Sequence, residues 1–219
     1  MPQFSYLKRD VTSILPGGWQ RDIGTVAAEA DFQPFPRTPI LSREADDVTH
    51  IMRGRVRADA VEEHLPWLCK LYRTDFVELA AEAWGEPIET ARDDRYGVVL
   101  NVQRGTAMRF ECHVDSNPVT GLLFFTDHPD GGGELVVSHD PDAVGVEVLE
   151  RNVLERKGTA IRPQAGQLIF FDGKTYPHYA RALSGESGMR VVAVMNFYTE
   201  SCPESTRPAG LNRHLFGDG

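Results

Sequence analysis

Cysteine is scarce in this chain: Cys69, Cys112 and Cys202 are the three in 219 residues. Few, odd in number and without metal-ligand spacing, they exclude a disulfide framework and a zinc knuckle and fit a reducing, intracellular setting. Basic charge is in deficit, with 23 Lys and Arg against 32 Asp and Glu, a formal net charge of -9. Such a chain repels phosphate backbones, so no nucleic-acid partner is expected. The one dense basic run, Arg53, Arg55 and Arg57, reads as a solvated face. No run of ~18 apolar residues occurs, and the opening MPQFSYLKRD lacks the apolar centre of a signal peptide. A cytoplasmic protein with no membrane partner is therefore expected. Repeats and low-complexity tracts are missing too, which excludes solenoid and linker architectures.

What is present is an ordinary globular composition, 41% hydrophobic and 25% charged, in a chain long enough to bury one core. A single domain over 1–219 is expected, with helical and irregular support at 1–95, a β-rich core at 96–200 and a C-terminal tail at 201–219. The proline-spaced stretch Gln33-Pro34-Phe35-Pro36-Arg37-Thr38-Pro39 should be extended or turned. From 59 to 84 the apolar residues Val61, Leu65, Leu68, Leu71, Tyr72, Phe76, Leu79, Ala80 and Ala83 recur at helical spacing, and Gly85 with Pro87 ends the run. Pro66 should kink that helix or split it in two. Beyond Tyr96, β-rich runs at 97–103, 108–113, 119–126, 134–138, 167–171 and 190–198 alternate with Gly-rich turns. The pattern predicts a mainly β fold with flanking α-helices, a sandwich or barrel of about eight strands.

Chemistry is concentrated in a few positions of that β-rich half. On a strand, residues two apart share a face, so His113 and Asp115 can reach one ion while Val114 packs the other way. His178 opens a later short strand. Two imidazoles and one carboxylate on one side of an ion leave positions free on the other, the ligand set of oxygen-activating non-heme Fe(II). Arg190 lies across the Gly-rich loop at 184–188 from His178, at a similar depth. An inward arginine there can grip a carboxylate through two parallel hydrogen bonds. Alternation adds polar candidates for the cavity wall: Arg109 and Glu111 share the parity of His113, Asn196 that of Arg190, Asn101 and Gln103 precede them, and Arg181 follows His178. Arg109 and Glu111 together would suit an amino-acid-like substrate. His128 and His139 have carboxylate neighbours but read as loop residues.

The ordered set His113-x-Asp115, Thr120-Gly121-Leu122-Leu123-Phe124-Phe125, Gly132-Gly133-Glu134-Leu135, Pro163-x-x-Gly166, Phe170-Phe171, His178 and Gly188-x-Arg190 resembles the 2-oxoglutarate/Fe(II)-dependent dioxygenase superfamily, nearest its prolyl-hydroxylase-like branch. It covers nearly half of the chain; residues 1–95 lie outside it. The resemblance implies a double-stranded β-helix (jelly-roll, cupin-like) barrel at 96–200. It implies His113, Asp115 and His178 as iron ligands, with 2-oxoglutarate and O2 as co-substrates and Arg190 on the distal carboxylate of 2-oxoglutarate. Relatives that halogenate lack the carboxylate ligand; Asp115 fills that place, so hydroxylation or a related oxidation is expected in place of halogenation. The nucleic-acid demethylase branch carries a second arginine shortly after the first, and 191–198 has none. The leading expectation is hydroxylation of a free or carrier-bound amino acid or related metabolite, with succinate and CO2 as co-products. A peptidyl (prolyl-type) hydroxylase is the runner-up, and a non-catalytic metal- or ligand-binding β-barrel the reading from another class.

Overall fold

The computed structural model describes residues 4–36, 38, 40–45 and 48–216. Arg37 and Pro39 of the proline-spaced stretch, and the chain ends 1–3 and 217–219, lie outside them. In chain order the elements are β1 (Tyr6–Asp10), α1 (Trp19–Ala28), β2 (Asp31–Pro34), β3 (Met52–Val56), α2 (Ala58–His64), α3 (Pro66–Arg73), α4 (Asp75–Trp84), β4 (Ile88–Thr90), α5 (Asp94–Gly97), β5 (Val98–Arg104), β6 (Val119–Phe124), β7 (Leu135–Ser138), α6 (Val146–Leu154), β8 (Gly158–Ile161), β9 (Gln167–Phe171), β10 (His178–Ala180), β11 (Met189–Thr199) and α7 (Leu211–Phe216).

Two antiparallel sheets result. The large one runs β1-β9-β6-β11-β5-β3-β2, with β4 paired to the end of β11, and the small one runs β10-β7-β8. The longest strand, β11, shows why. Its Val191, Ala193, Met195 and Phe197 turn to one side, where they join Leu100 and Val102 of β5, Leu123 of β6, Phe170 of β9 and the apolar faces of α1 to α4. Val192 turns to the other side and packs with Leu122, Phe124, Ile169 and Phe171, against Leu135 and Val137 of the small sheet. A strand covered on both faces reads as a continuous apolar run, as β6 and β9 do. Phe170 and Phe197, both fully buried with ring centroids 5.7 Å apart, anchor the helix side. Truncating either to Ala would cost about 3–5 kcal/mol.

The mainly β fold with flanking helices is as expected and has the arrangement of a double-stranded β-helix: two sheets face one another, and no ladder closes them into a continuous barrel among the described residues. The expected strand at 108–113 does not form. The segment is held by single links: Phe110 N–H to the Ala180 carbonyl (3.1 Å), and a reciprocal pair between His113 and His178 (3.0 and 2.9 Å). The helical run breaks twice. Pro66 disfavours a helical Leu65 and becomes the first residue of α3. Thr74, at φ -123 and ψ -92, leaves the helix and donates its Oγ1 to the Lys70 carbonyl at 2.9 Å, a local bond that competes with the helical ladder. The N-terminal segment, expected as helical and irregular support, also donates β1, β2 and β3 to the large sheet and β4 to the end of β11. The sequence pattern did not reveal strand β8, which forms the edge of the small sheet, or helix α6, which backs that sheet.

Candidate metal centre and its cavity

His178 enters the site from the small sheet, where it opens β10 opposite Val137 of β7. On the other side of β10 runs the irregular segment that carries His113. That segment is steadied from its far side by residues 41–44. Arg43 N–H donates to the Cys112 carbonyl (2.8 Å), Val114 N–H to the Leu41 carbonyl (3.0 Å), and the Glu44 carboxylate accepts the Cys112 N–H (2.8 Å). The backbone groups of an irregular strand are thereby satisfied without a regular ladder. Asp115 is placed by its own N–H, which donates to the Gly173 carbonyl at 2.8 Å. Gly173 must be glycine here, because a Cβ at that position would run into the Asp115 carboxylate and Thr120.

The three side chains converge. Each imidazole sets its Nδ1 against a carbonyl two residues earlier, His113 on Glu111 and His178 on Tyr176, both at 2.9 Å. In the deprotonated, metal-binding form of each ring, the tautomer that donates these bonds leaves the Nε2 lone pair facing inward, the arrangement that orients metal-ligating histidines. The His113 Nε2 lies 3.5 Å from Asp115 Oδ1, and the His178 Nε2 3.5 Å from Oδ2. One ligand atom from each residue fits within 4.8 Å of the others. Behind the carboxylate, Thr120 Oγ1 donates to Asp115 Oδ2 and accepts from Asn117 Nδ2 at 3.0 Å. Tyr96 donates to Asn117 Oδ1 at 3.1 Å.

Without a metal, a proton balances the charge of the cluster. Burial raises the Asp115 carboxyl, but His178 and His113 outweigh it and bring it to about 2. Burial lowers His113, but the adjoining Asp115 carboxylate outweighs it and raises the imidazole to about 9. Burial holds His178 down to about 4. At neutral pH the triad therefore comprises a carboxylate, a neutral imidazole and a proton on the His113 side that a dication would displace.

The triad opens on a cavity of about 140 Å³ walled by both sheets, with Val99, Leu122, Val192 and Val194 on one side and Leu135 and Ala180 on the other. Arg190 also lines it, on the cavity face of β11 and only 2% exposed. Its Nη1 donates to Gln103 Oε1 at 3.1 Å, its carbon centre sits 5.6 Å from the Phe124 ring centroid, and its Nε has no partner. Burial pulls this guanidinium down to about 10, with Glu134 working the other way. A buried cation with an orphaned donor facing a cavity calls for an anion there.

The structure brings together some of the remaining candidates and separates others. Asn101, Glu111 and Asn196 line the cavity. Asn196 is pinned by donating to the Tyr96 carbonyl at 2.5 Å. Burial pushes the Glu111 carboxyl up, with nearby His113 opposing. Gln103 stands behind Arg190 as its support, with Nε2 donating to the Met108 and Arg181 carbonyls (3.2 and 3.1 Å). Arg109 turns away to pair with Glu44 at 2.7 Å, because strand parity does not govern a segment that is not a strand. Arg181 is clamped by Glu150 through Nε and Nη2 at 2.7 and 2.6 Å, outside the cavity. His128 and His139 hydrogen-bond to Thr126 and Thr159 and join no metal-ligand cluster among the described residues. Sequence reasoning quoted Thr120 within a strand motif without giving it a role and passed over Gly173, and it discounted Arg53 and Arg55, which also line the cavity.

No protein-family model matches the chain, and no curated protein matches it. Solved structures do. The fold is that of the 2-oxoglutarate/Fe(II) oxygenases. Among them, the epimerase SnoN in complex with Fe3+, alpha ketoglutarate and nogalamycin RO superposes with a TM-score of 0.65 at 14% identity, over 99% of this chain and 88% of that one. An oxidoreductase of the 2OG-Fe(II) oxygenase family from Burkholderia pseudomallei gives 0.61 at 13%, over 93% and 89%. AviO1 from Streptomyces viridochromogenes Tue57 gives 0.62 at 14%, over 94% of each chain. At such identities the likeness is one of fold, and the chemistry rests on the residues described above.

Proposed function

We propose that the chain is an Fe(II)- and 2-oxoglutarate-dependent dioxygenase that hydroxylates an unactivated C–H bond of a small, amino-acid-like metabolite. The observation that carries this reading is the coincidence, in one cavity, of three converging ligand atoms and a buried arginine without a carboxylate partner among the described residues. In this reading His113 Nε2, the Asp115 carboxylate and His178 Nε2 hold iron on one face. Arg190 binds the distal carboxylate of 2-oxoglutarate, held in place by Gln103. Iron bound there supplies activation of O2 coupled to oxidative decarboxylation of 2-oxoglutarate, giving succinate, CO2 and an oxygenated substrate. Thr120 fixes one carboxylate oxygen of Asp115, and the Glu111 and Tyr176 carbonyls fix the two imidazole rings, so the ligand geometry is set before the metal arrives. Asp115 occupies the place that halogenating relatives leave for chloride, which favours hydroxylation. The apolar wall of Val99, Leu122, Val192 and Val194 excludes water from the reacting C–H bond.

The size of the cavity favours a small substrate over a peptide. About 140 Å³ is below the ~300–1,000 Å³ of pockets for drug-sized ligands, and Leu215 of α7 forms part of the wall. The test is anaerobic addition of Fe(II) and 2-oxoglutarate. A weak visible charge-transfer band, and succinate release on admitting air, are expected. His178→Ala should abolish both. A wild-type protein with neither band nor succinate overturns the reading.

A further inference from the structure

Two arginines from the basic run face the same cavity as the triad. Arg53 and Arg55 stand two apart on β3 and so share a face. β3 pairs with β5 in the register Gly54 to Val102, Arg55 to Asn101 and Val56 to Leu100. Val56, Leu100 and Val102 turn into the helix-side core, so Arg53 and Arg55 turn with Asn101 toward the cavity. Arg53 is 8% exposed and Arg55 is half-buried. Both donate an Nη2 hydrogen bond to the same acceptor, the Leu215 carbonyl of α7, each at 3.0 Å. The Arg53 guanidinium also lies 5.0 Å from the Phe35 ring centroid. Among the described residues, no carboxylate lies within ion-pair distance of Arg53. Two guanidinium groups converging on one neutral oxygen form a fork suited to a carboxylate. A carbonyl at a helix C-terminus, with its partial negative charge, is a weak stand-in for one.

A second orphan completes the arrangement. Glu111 is 3% exposed and lines the same cavity; the Ser42 side chain hydrogen-bonds its carboxylate, but its Oε2 is buried without a partner among the described residues. A buried carboxylate oxygen with no donor is unfavourable unless something supplies one. Strand β5 separates this group from Arg190, which lies across from Gln103 on one flank of β5, while Arg55 lies across from Asn101 on the other. The cavity thus has one arginine for an anion beside β11 and a separate arginine pair with a carboxylate beside β3.

We infer that Arg53 and Arg55 bind the carboxylate of an α-amino-acid substrate in place of the Leu215 carbonyl, and that Glu111 accepts its ammonium group. This rests on the proposed oxygenase function, with Arg190 reserved for 2-oxoglutarate. Residues 53 and 55 then determine specificity, and α7 is displaced from their guanidinium groups when substrate enters.

The experiment is calorimetry on the anaerobic Fe(II)–2-oxoglutarate protein. The probes are the proteinogenic L-amino acids, each matched with its C-terminal amide and its N-acetyl derivative. At least one acid should bind, and its amide should bind about tenfold or more weakly. Arg53→Gln and Arg55→Gln should each weaken that acid by about ten- to a hundredfold, while the 2-oxoglutarate affinity read from the visible band stays within about twofold of wild type. The band also shows that each variant is folded. Glu111→Gln should weaken the free amino acid but not its N-acetyl form. Arg57 sits at the solvent end of the same run, paired with Asp59 at 3.1 Å; Arg57→Gln should leave the affinity within about twofold. Acids and amides binding alike, equal losses from Arg57→Gln, a loss of 2-oxoglutarate affinity in place of amino-acid affinity, or no acid binding to a protein that forms the band would each overturn the inference. A wild-type protein without the band overturns the oxygenase reading beneath it.

Discussion

Replacing Arg190 with methionine should separate the stability of the fold from the affinity for 2-oxoglutarate. The side chain is 2% exposed, donates to Gln103 Oε1 at 3.1 Å, and leaves Nε unpaired. In the ligand-free protein it is a buried cation with no carboxylate in ion-pair contact among the described residues, and exchanging such a group for an apolar one of similar volume is often neutral or stabilising. Against this, Gln103 Oε1 loses its donor, at about 1–3 kcal/mol. The ligand-free variant should therefore melt within about 5 °C of the parent. The bound state differs. Two charge-assisted hydrogen bonds to a carboxylate contribute at least about 3 kcal/mol, so their loss raises the dissociation constant by about a hundredfold or more. With 2-oxoglutarate at a hundred times the wild-type constant, the parent gains ~2.7 kcal/mol, which for a chain of this size raises Tm by about 5–11 °C. At the same concentration the variant gains ~0.4 kcal/mol and rises by about 1–2 °C. Anaerobic thermal unfolding with and without 2-oxoglutarate, in Fe(II) throughout, measures both quantities. If Arg190→Met keeps the full ligand-induced rise, the assignment of Arg190 is wrong. A collapse of the ligand-free Tm by well over ten degrees would show instead that the guanidinium is structural.

Metal affinity should depend on pH with a known sign. The imidazole of His113 is raised to about 9 and that of His178 lowered to about 4 in the metal-free protein, so between those values binding must displace one proton, from the His113 side. The apparent Mn(II) affinity should rise about tenfold per pH unit from about 5 toward 9 and then level; a flat profile from pH 7 to 8.5 in a calorimetric titration contradicts this. Gly173→Ala places a Cβ against the Asp115 carboxylate and Thr120, and metal affinity should fall by about ten- to a hundredfold in the same titration. Wild-type affinity in that variant would show that the loop yields and that the close approach is unimportant. Arg109→Ala removes the 2.7 Å partner of Glu44, and the expected result is a loss of about 1–3 kcal/mol in urea unfolding with 2-oxoglutarate affinity unchanged. An effect on ligand affinity without an effect on stability would return Arg109 to the cavity.

Strand alternation identified cavity residues where the strands are regular and paired on both flanks. On β11 the parity that places Val191, Ala193, Met195 and Phe197 in the helix-side core leaves Arg190 and Asn196 for the other face. On β5 the same holds for Asn101 and Gln103 beside Val98, Leu100 and Val102. An apolar partner at every second position determines which way the polar residues point. The rule has no purchase on 108–113, where single bridges hold the backbone and no ladder imposes a two-residue period. Arg109 follows Glu44, a residue far away in sequence whose carboxylate also accepts the Cys112 N–H. His113 and Asp115 converge all the same, but for a reason other than parity: one is hooked to His178 and the other to the Gly173 carbonyl.

Arg53 and Arg55 were hidden by the opposite circumstance. Their strand is regular, but five residues that read Met-Arg-Gly-Arg-Val look like a solvated edge unless the pairing of β3 with β5 is known. The arginines themselves do not show whether they face water or a cavity, since the long side chain suits both. What decides is the register, and it is set by Gly54. A Cβ there would sit 2.5 Å from both the Phe32 ring and the Val102 carbonyl, so only glycine lets β2 and β5 close on β3 from either side. With Gly54 turned to the crowded face, its two neighbours must take the open one. The glycine between the arginines is therefore the signal of their burial, and Gly54→Ala should force the two guanidinium groups out of the cavity wall before it affects the distant triad.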